Sequence, residues 1–425
     1  MIYDLLIIGD TYIDILDNKL CRPGGVIHSG LIASSLNLTV ALYSCIGKDC
    51  YQYIKNVLEK NKLSTDILIC NGINTTKYYI TNIDEIVPQQ SFIEHGTSLS
   101  FDINVSLPKT RNVLIYPADL NSIDTLLSMI PKEANIFYDL QYDLNSLEQI
   151  SVLLSKVQCV FASYRELLRI TNAHSIEEAV NIVLNFGAKY IVVKLGMGGS
   201  IIFSNDSVIK IPAYEANFVC TIGAGDVYNS VFISTMQKYN DLLLAGHYAS
   251  IAAAKFCENI NSYYISWESL EDEYRHPTRK RVFLDPDKVK KQLIYLAGPF
   301  FDQGEINWVQ YMFDALQHHG FMIFSPLHHA GRASKNSKIK EKREIFKIDI
   351  DNLRKSTIIV ALLDGDDTGT AFECGYAYAM EKPVIGVHSR FNNRPNLMLE
   401  MSCERLVPTP KELLKQLFFL LGEES

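Results

Sequence analysis

Four carboxylates stand close together in one short stretch of the sequence. Asp364, Asp366 and Asp367 fall in a loop rich in Asp and Gly, and Glu373 follows shortly after. The apolar run 358–363 before the loop has the composition of a buried parallel strand. In open α/β sheets, ligands bind at the carboxyl ends of such strands. We therefore predict a site here, with carboxylates available for nucleophilic attack and proton transfer.

Glu373 also has a purely structural interpretation. If Thr370 opens a helix, Thr370 and Glu373 have the spacing of a capping box, in which both side chains bind backbone N–H groups at the helix start. The spacing alone leaves this interpretation and a chemical role open.

The run 364–377, Asp-Gly-x-Asp-x-Gly-Thr-Ala-x-Glu-x-Gly-Tyr-Ala, resembles the nucleoside 2-deoxyribosyltransferase family. Further matches occur in the family's order at Tyr295-Leu-Ala-Gly-Pro-Phe-Phe, at Asp349 and at Asn396-Leu-Met. The resemblance spans most of Gln292–Glu424. It implies a small flavodoxin-like α/β domain that exchanges or removes the base of a nucleoside without a cofactor.

The resemblance also implies roles for individual residues. Glu373 would be the nucleophile that traps the sugar as an ester, and Tyr295 would orient it. Asp349 and Asp367 would hold and protonate the base and bind the sugar. Other residues implied to contact the substrate are Gly298, Asn396 and Met398. Because family sites are often built across an interface, Asn396 and Met398 would act from a neighbouring subunit, so we expect a homo-oligomer.

The substrate class of this second part of the chain stays open. A group related to the same family keeps the attacking Glu and hydrolyses deoxynucleoside 5′-monophosphates. A cationic cluster could contact such a phosphate, or it could be a solvated surface: Arg332, Lys335, Lys338 and Arg343. The Asn-Leu-Met element favours transfer, whereas the cluster favours the hydrolase.

A second motif, Gly223-Ala-Gly-Asp226, lies at the start of a predicted apolar helix. Successive amides at a helix N-terminus attract an anion, and glycine lets a phosphate approach the backbone closely. Asp226 is then placed to take a proton from a hydroxyl. A lone Gly-x-Gly-Asp is, however, also an ordinary turn at a helix start.

The motif is accompanied by Asp14, Gly24-Gly25 and Lys194-Leu-Gly-Met-Gly-Gly-Ser200. In this order the set resembles the ribokinase-like (PfkB) carbohydrate and nucleoside kinase family over roughly 3–261. The resemblance implies a doubly wound α/β sheet domain and phosphoryl transfer from ATP, with Mg²⁺, to a sugar hydroxyl.

The kinase resemblance assigns Asp226 as the general base and the amides of Gly223, Ala224 and Gly225 as stabilisers of phosphoryl charge. Residues implied to contact sugar hydroxyls are Asp14, Gly24 and Gly25. Residues implied to line the nucleotide site are Gly196, Gly198 and Thr221. Glu166 would help to organise the metal.

Three departures put the kinase activity in question. Ser29 stands where the family usually has Asn, and Ser163-Tyr-Arg-Glu166 replaces Asn-x-x-Glu. Cys220-Thr-Ile replaces Asp-Thr-Thr before the glycine motif. A domain that senses a nucleotide or nucleoside without turnover therefore remains an alternative.

Length and composition favour two globular α/β domains. A chain of 425 residues exceeds one ordinary core, and 48% hydrophobic with 21% charged residues is typical of soluble proteins. We predict a kinase domain at 1–264, a linker at 265–290 and a transferase domain at 291–425. Apolar strand-like runs alternate with helical segments from Val113 onward, which indicates parallel sheets covered by helices. In the second domain we predict strands at Leu293–Ala297, Phe321–Phe324, Ile358–Leu363 and Pro383–Val387.

The net charge of −8 argues against a nucleic-acid surface, and no apolar run is long enough to span a membrane. Nine scattered cysteines without a CxxC pair fit reduced thiols, so we expect a cytoplasmic protein. The expected partners are nucleosides, nucleobases or nucleotides. The sequence thus predicts a bifunctional enzyme of nucleoside metabolism. The alternative is a regulatory or defence protein that cleaves deoxynucleoside monophosphates and senses a nucleotide.

Overall fold

A computed structural model describes most of the chain as two compact units. The described residues are 2–17, 20–116, 123–141, 146–260, 262–331, 337–365, 367–389 and 394–424. The first unit comprises Met1–Glu85 and Gln89–Phe283, and the second comprises Ile86–Pro88 and Leu284–Glu423. The stretch 265–290, predicted as a linker, is folded, and most of it belongs to the first unit. The reason is burial, because its Leu270 is fully buried in the first unit's core.

The first unit alternates strands and helices along much of its length. Its strands are β1 (Tyr3–Ile8), β2 (Thr11–Leu16), β3 (Leu20–Gly25), β4 (Val40–Ile46), β5 (Leu68–Cys70), β6 (Lys77–Thr81), β7 (Gln90–Glu94), β8 (Thr110–Ile115), β9 (Asn135–Leu140), β10 (Cys159–Ser163), β11 (Tyr190–Lys194), β12 (Ser200–Ser204), β13 (Val208–Ile211), β14 (Ala213–Tyr214) and β15 (Arg281–Phe283). Its helices are α1 (Val26–Ser35), α2 (Tyr51–Lys60), α3 (Ile123–Met129), α4 (Ser151–Leu154), α5 (Tyr164–Thr171), α6 (Ile176–Asn185), α7 (Ala224–Tyr239), α8 (Leu242–Cys257) and α9 (Trp267–Arg275).

A nine-stranded sheet forms the centre of this unit, in the order β13-β12-β11-β10-β9-β8-β1-β4-β5. The strands from β11 to β5 are parallel, whereas β12 and β13 are antiparallel. Successive residues of β1 face opposite sides, so that Leu5 and Ile7 join one hydrophobic core and Leu6 and Ile8 the other. Two cores on one sheet confirm the predicted doubly wound architecture.

A second sheet of four strands has the order β3-β2-β6-β7. The residues Pro23-Gly24-Gly25 are of types that usually break a strand, but here they end strand β3. They fit there because β3 is an edge strand, where a missing proline N–H leaves no ladder hydrogen bond unmade.

The second unit is a smaller α/β fold. Its elements are α10 (Pro286–Lys290), β16 (Leu293–Ala297), α11 (Gln303–His318), β17 (Met322–Phe324), α12 (Pro326–His329), α13 (Ile339–Lys355), β18 (Ile358–Leu362), α14 (Thr368–Ala379), β19 (Val384–Val387), α15 (Leu397–Ser402), β20 (Arg405–Val407) and α16 (Pro410–Leu421). The last strand along the chain is β21 (Glu423–Glu424). The four predicted strands are confirmed to within one residue at each end.

The five-stranded sheet of this unit has the order β17-β16-β18-β19-β20, and all its pairs are parallel. The strand order reverses at β16, because β17 lies on one side of β16 and β18 lies on the other. Ligands bind at such switch points, beyond the carboxyl ends of the strands. Within the described part of the chain, every helix is too short or too polar to cross a bilayer.

Candidate active sites

A hydrogen bond between a buried strand and a neighbouring helix defines the first candidate site, in the second unit. Tyr295 lies in β16 and is fully buried, and its hydroxyl donates to Oε1 of Glu373 at 2.5 Å. Strands β16 and β18 pair directly, and α14, which follows β18, carries Glu373. The fold thus brings together Tyr295 and Glu373, which belong to motifs that are far apart in the sequence.

The surroundings of Glu373 disfavour its charged form. The pKa of Glu373 is raised to about 8, mainly by burial and also by the charges of Asp349 and Asp367, and the hydrogen bond from Tyr295 opposes this rise. A carboxyl group with this pKa is mostly protonated at neutral pH. Such a perturbed group beside other acids is characteristic of catalytic sites.

The capping-box interpretation of Glu373 is wrong. Helix α14 begins at Thr368, two residues earlier than expected, and Asp367 is its N-cap. Oδ2 of Asp367 accepts hydrogen bonds from the backbone N–H and the hydroxyl of Thr370, at 2.7 and 2.8 Å. Glu373 therefore lies in the second helical turn, where no free backbone N–H groups remain to be capped.

Asp349, on α13, differs from Asp367 in its hydrogen bonding. Its Oδ1 is buried and has no hydrogen-bond partner within the described residues. Burial raises the pKa of Asp349 to about 6. Asp349 is half-buried and has an oxygen without a hydrogen-bond partner, so it is a candidate proton donor, whereas Asp367 serves as the cap of α14.

Asp364 does not extend this cluster. Asp364 accepts hydrogen bonds from the backbone N–H and hydroxyl of Ser389, at 2.8 and 3.0 Å, and its Oδ1 lies 3.2 Å from Nδ1 of His388. It therefore connects the loops after β18 and β19. Asp366 lies outside the described residues.

The remaining predicted residues of this unit surround the same strand ends. Gly298 is buried just after β16, and a Cβ there would lie 3.1 Å from Leu362. Asn396 caps α15 by accepting a hydrogen bond from the N–H of Met398 at 2.8 Å, and the Met398 side chain is 78% exposed. Two residues of the cationic cluster are exposed: Lys338 directly precedes α13, and Arg343 lies on it. Arg332 and Lys335 fall outside the described residues.

A cavity of about 790 Å³ lies at the opposite, amino ends of β18 and β19. It is wide open and is lined by Thr357, Tyr378, Lys382 and Met401, among others. We do not place the chemistry there, because the perturbed carboxyl groups are at the other end of the sheet.

The second candidate site lies at the start of α7 in the first unit. Gly223 adopts the left-handed conformation, with φ of +85°, and the ring of His28 occupies the space where a Cβ would be. Asp226 follows in the first turn. Burial raises the pKa of Asp226 to about 6, with the charge of His28 lowering it and that of Asp139 raising it. The predicted base thus has a pKa suited to accepting a proton near neutral pH.

Two charged residues that the sequence analysis did not single out as site residues lie beside Asp226. Nζ of Lys194 lies 3.0 Å from Oδ1 of Asp139 and 3.2 Å from Oδ1 of Asn229. A Cβ on Gly225 would lie 3.2 Å from the same Nζ. Asp139 and Lys194 are at the carboxyl ends of the parallel strands β9 and β11, which is the signal that could have identified them.

Glu166, predicted to help organise a metal, forms a capping box. Its Oε2 accepts the N–H of Ser163 at 2.7 Å, and the hydroxyl of Ser163 accepts the N–H of Glu166 at 3.3 Å. No three His, Cys, Asp or Glu side chains among the described residues could together hold a metal ion. Mg²⁺ in kinases is commonly held by one or two carboxylates, with phosphate oxygens and water, so a single carboxylate such as Glu166 is compatible with it.

Asp14 is only 4% exposed and is already paired. Its Oδ2 lies 3.2 Å from Nε2 of His28 and 3.6 Å from Nε of Arg22. Gly24 permits this arrangement, because a Cβ there would lie 2.4 Å from Oδ1 of Asp14. Gly25, the N-cap of α1, completes the predicted pair of glycines.

The residues predicted to line the nucleotide site occupy two loops. Gly196 and Gly198 form a 3₁₀ turn directly after β11. Thr221 donates from its N–H and its hydroxyl to the carbonyl of Ile83, at 2.8 and 3.2 Å. The N–H of Ala224 donates to the carbonyl of Thr221 at 3.0 Å, so this amide is already used within the turn.

Comparisons with known proteins agree with both sets of motifs. The pfkB family carbohydrate kinases match residues 22–269, and nucleoside 2-deoxyribosyltransferase matches residues 294–405. The ATP-dependent 6-phosphofructokinase of Thermoanaerobacterium thermosaccharolyticum is 26% identical over 56% of this chain and 82% of its own length. The cytidine kinase of Thermococcus kodakarensis is 29% identical over 55% of this chain and 89% of its own.

Solved structures agree on the fold of the first unit. The nucleoside kinase of Methanocaldococcus jannaschii, an archaeal member of the ribokinase family, has a TM-score of 0.55 at 20% identity, covering 64% of this chain and 98% of its own. A ribokinase II from E. coli, solved with ATP and Mg²⁺, has a TM-score of 0.56 at 17% identity, covering 64% and 99%. The chain belongs to the pfkB carbohydrate kinase family, and its second unit is a nucleoside 2-deoxyribosyltransferase family domain.

Proposed function

We propose that the chain is a bifunctional enzyme of nucleoside metabolism. Its second unit exchanges or removes the base of a deoxynucleoside, and its first unit uses ATP to phosphorylate a sugar or nucleoside hydroxyl. The observation that carries the proposal is the 2.5 Å hydrogen bond from Tyr295 to Glu373, beside the unpaired carboxyl group of Asp349. A shared metabolite, such as a nucleoside made by one unit and phosphorylated by the other, would explain the fusion.

In the second unit, Glu373 attacks C1′ of the sugar. The bond from C1′ to the base nitrogen breaks, its electron pair stays on that nitrogen, and an ester forms between C1′ and the carboxylate. A second base or a water molecule then attacks C1′ and releases Glu373. Two inversions retain the configuration at C1′. Tyr295 orients Glu373 and stabilises its carboxylate before the attack and after its release.

We assign the proton donor for the leaving base to Asp349 and not to Asp367. A proton donor needs an oxygen that is available to the leaving base, and Oδ2 of Asp367 is already used by two hydrogen bonds from Thr370 at the helix start. Asp349 is unpaired at Oδ1, and its raised pKa favours the protonated form. Asp367 instead begins α14 and so sets the position of Glu373.

In the first unit, Asp226 takes the proton of the acceptor hydroxyl. The nucleotide would supply the phosphoryl group, and Mg²⁺, which Glu166 would help to hold, would neutralise part of its charge. The helix start at Gly223 and the ammonium group of Lys194 provide positive potential where the phosphoryl group would bind. Asp14, with its carboxylate fixed by His28 and Arg22, would contact the acceptor. We propose that the two units act as separate catalytic domains.

A second copy of the chain would cover the apolar surface of α15. This helix buries none of its own residues, and Leu397 and Met401 are 68% and 62% exposed. Phe372, next to Glu373 on α14, is 50% exposed. Exposed apolar residues in such numbers mark an interaction surface. We propose a homo-oligomer in which this surface is buried.

A second candidate function is hydrolysis of deoxynucleoside 5′-monophosphates, with the first unit acting as a nucleotide sensor. The observation that favours it is the exposed pair Lys338 and Arg343, beside and on the helix that carries Asp349. Their ammonium and guanidinium groups could contact a 5′-phosphate.

One experiment tests both candidates. The protein is incubated with a panel of deoxynucleosides and their 5′-monophosphates, with and without a free base and ATP, and the products are identified by mass. Exchanged nucleosides together with phosphorylated products support the bifunctional enzyme. Faster cleavage of monophosphates, with ATP bound but not consumed, supports the second candidate. The absence of any N-glycosidic product would contradict both.

A further inference from the structure

Arg22, on the edge strand β3, is a buried arginine that is only 2% exposed. Its guanidinium group donates through Nη1 to the carbonyl of Ile260 at 2.6 Å and through Nη2 to the carbonyl of Ile222 at 2.7 Å. Strand pairing places Arg22 opposite Asp14, and its Nε lies 3.6 Å from Oδ2 of that residue. Burying an arginine is costly, and an apolar residue often stabilises a fold as well as a buried ion pair does. These contacts therefore indicate a role beyond packing.

The carbonyl of Ile222 belongs to the peptide unit that links Ile222 to Gly223, the first residue of the Gly-Ala-Gly-Asp motif. A trans peptide unit is planar, so its carbonyl and its N–H point in opposite directions. By holding this carbonyl, Arg22 fixes the direction of the Gly223 N–H, one of the amides assigned to phosphoryl charge. A charged donor on the carbonyl also polarises the peptide unit and makes its N–H a stronger donor.

His28 makes the other side-chain contact with this turn. The His28 ring lies where a Cβ on Gly223 would be, with its Cδ2 at 2.9 Å from that position. Nε2 of His28 lies 3.2 Å from Oδ2 of Asp14, the same oxygen that faces Nε of Arg22. Asp14 thus contacts both of the side chains that hold the turn.

We propose that Arg22 is a positioning residue for phosphoryl transfer in the first unit. It holds the Gly223 N–H toward the phosphoryl group and links this amide to Asp14, the proposed contact of the acceptor. The inference rests on the proposed kinase reaction. A guanidinium group suits the role, because it is always charged and its rigid fork donates to two carbonyls at once.

The first test is the rate of ATP-dependent phosphorylation by the full chain with Arg22→Met, which has an unbranched side chain without donors. The Gly223 amide would act on charge that develops during transfer. Its misalignment should therefore lower kcat by about 10- to 100-fold, somewhat less than the loss of a whole donor from such a site. KM for ATP should change little. A raised KM at an unchanged kcat would overturn the proposal, because Arg22 would then act on nucleotide binding alone.

The matched control is Arg279→Met. Arg279 is 20% exposed and also donates to a main-chain carbonyl, that of Glu215 at 2.8 Å, and its Nη1 lies 2.7 Å from Oε1 of Glu258. These partners belong to other segments than the turn at 222–223. Arg279→Met should keep the parental kcat. An equal fall of kcat in both variants would mean that losing a buried arginine weakens the whole unit, and it would overturn the proposal.

A second readout does not depend on kinase activity. Protein labelled with ¹³C-carbonyl isoleucine and ¹⁵N-glycine gives NMR correlations only from the four Ile–Gly pairs of the chain. Ile222→Val removes the Gly223 signal and so assigns it. In Arg22→Met the carbonyl and amide shifts of this pair should both change, whereas Arg279→Met should leave them in place. An unmoved signal in Arg22→Met would overturn the proposal.

Arg22→Lys replaces Arg22→Met in both measurements if the latter does not fold, because it keeps a positive charge opposite Asp14. An ammonium group lacks the fork that joins two carbonyls, so kcat should still fall and the Gly223 signal should still move. A parental kcat and an unmoved signal in Arg22→Lys would overturn the proposal. If the parent phosphorylates nothing but the signal moves, the proposed kinase reaction fails and the hold of Arg22 on the Gly223 peptide stands.

Discussion

The hydroxyl of Tyr295 lies 2.5 Å from Oε1 of Glu373, although 78 residues separate the two in the chain. Tyr295 is fully buried in β16, so its position is set by the sheet and not by solvent. The hydrogen bond stabilises the ionised form of Glu373 and so lowers its pKa, which burial and the neighbouring acids nevertheless raise to about 8. The ionised form of Glu373 is the form that attacks C1′. The surroundings of Glu373 favour the neutral form.

Replacing Glu373 by Gln should abolish base exchange and base release while the protein stays folded. The amide has the shape of the carboxyl group but cannot form the sugar ester, so we expect a loss of at least about three orders of magnitude. Initial rates with a deoxynucleoside and a free base measure this. The matched control is Glu381→Gln, since Glu381 lies just beyond the other end of α14. A near-parental rate in Glu373→Gln would show that Glu373 is not the nucleophile.

The pH profile of the same reaction should be bell-shaped. The active form has one proton shared between Glu373, with a pKa of about 8, and Asp349, with a pKa of about 6. Below about pH 6 both are protonated and no nucleophile exists. Above about pH 8 both are ionised and no acid remains. Measured kcat/KM should therefore fall on both sides, and Asp349→Asn should remove the alkaline limb. A profile that keeps rising above pH 9 would contradict a proton donor in this pair.

The variant Asp226→Asn should lose ATP-dependent phosphorylation and keep base exchange. An amide cannot accept the proton of the hydroxyl, and the contribution of a general base is about 10²- to 10⁴-fold. Both activities are measured on one preparation, with Glu373→Gln as the reciprocal control. Loss of both activities in a folded Asp226→Asn protein would mean that the two sites are coupled.

A covalent deoxyribosyl ester should form on Glu373. Retention of configuration at C1′ requires it, and without an acceptor base it should hydrolyse slowly enough to be trapped. Intact-mass analysis after quenching with excess deoxynucleoside should reveal one added deoxyribosyl group, absent in Glu373→Gln. A 2-fluoro sugar should lengthen the life of the adduct, because fluorine destabilises the cation-like transition state. Inversion at C1′ together with no adduct would make Glu373 a general base.

The variant Met398→Asp should weaken assembly without unfolding the chain. Met398 is 78% exposed on a helix with no buried residue, so a charge there costs nothing in a lone chain but is unfavourable in an apolar interface. Light scattering should give a multiple of the 48.1 kDa chain mass for the parent and a smaller particle for the variant. If the parent protein is monomeric and still has full base-exchange activity, this interface is not needed for the reaction.

Much of the architecture could be predicted from the sequence because its signals are local. Apolar runs marked β16, β18 and β19 to within one residue, and Gly320 past the end of α11 adopts the left-handed conformation expected of a helix terminator. The β2–β3 hairpin and the fold of 265–290 were not predicted. A proline suggested a break in the hairpin, and a charged composition suggested a break in 265–290. Contacts with distant strands and helices stabilise the regular structure in both places.

The sequence by itself determined the order of elements, the two sets of motifs and the choice of Glu373 and Asp226 as candidate catalytic acids. Only the tertiary structure decided what each acid does. Asp367 and Asp349 are both carboxylates in family positions, but Asp367 is bound to Thr370 and Oδ1 of Asp349 is buried without a hydrogen-bond partner among the described residues. A pKa depends on burial and on the charges and donors nearby, and these are set by residues far apart in the chain. No local pattern of residue types carries that information.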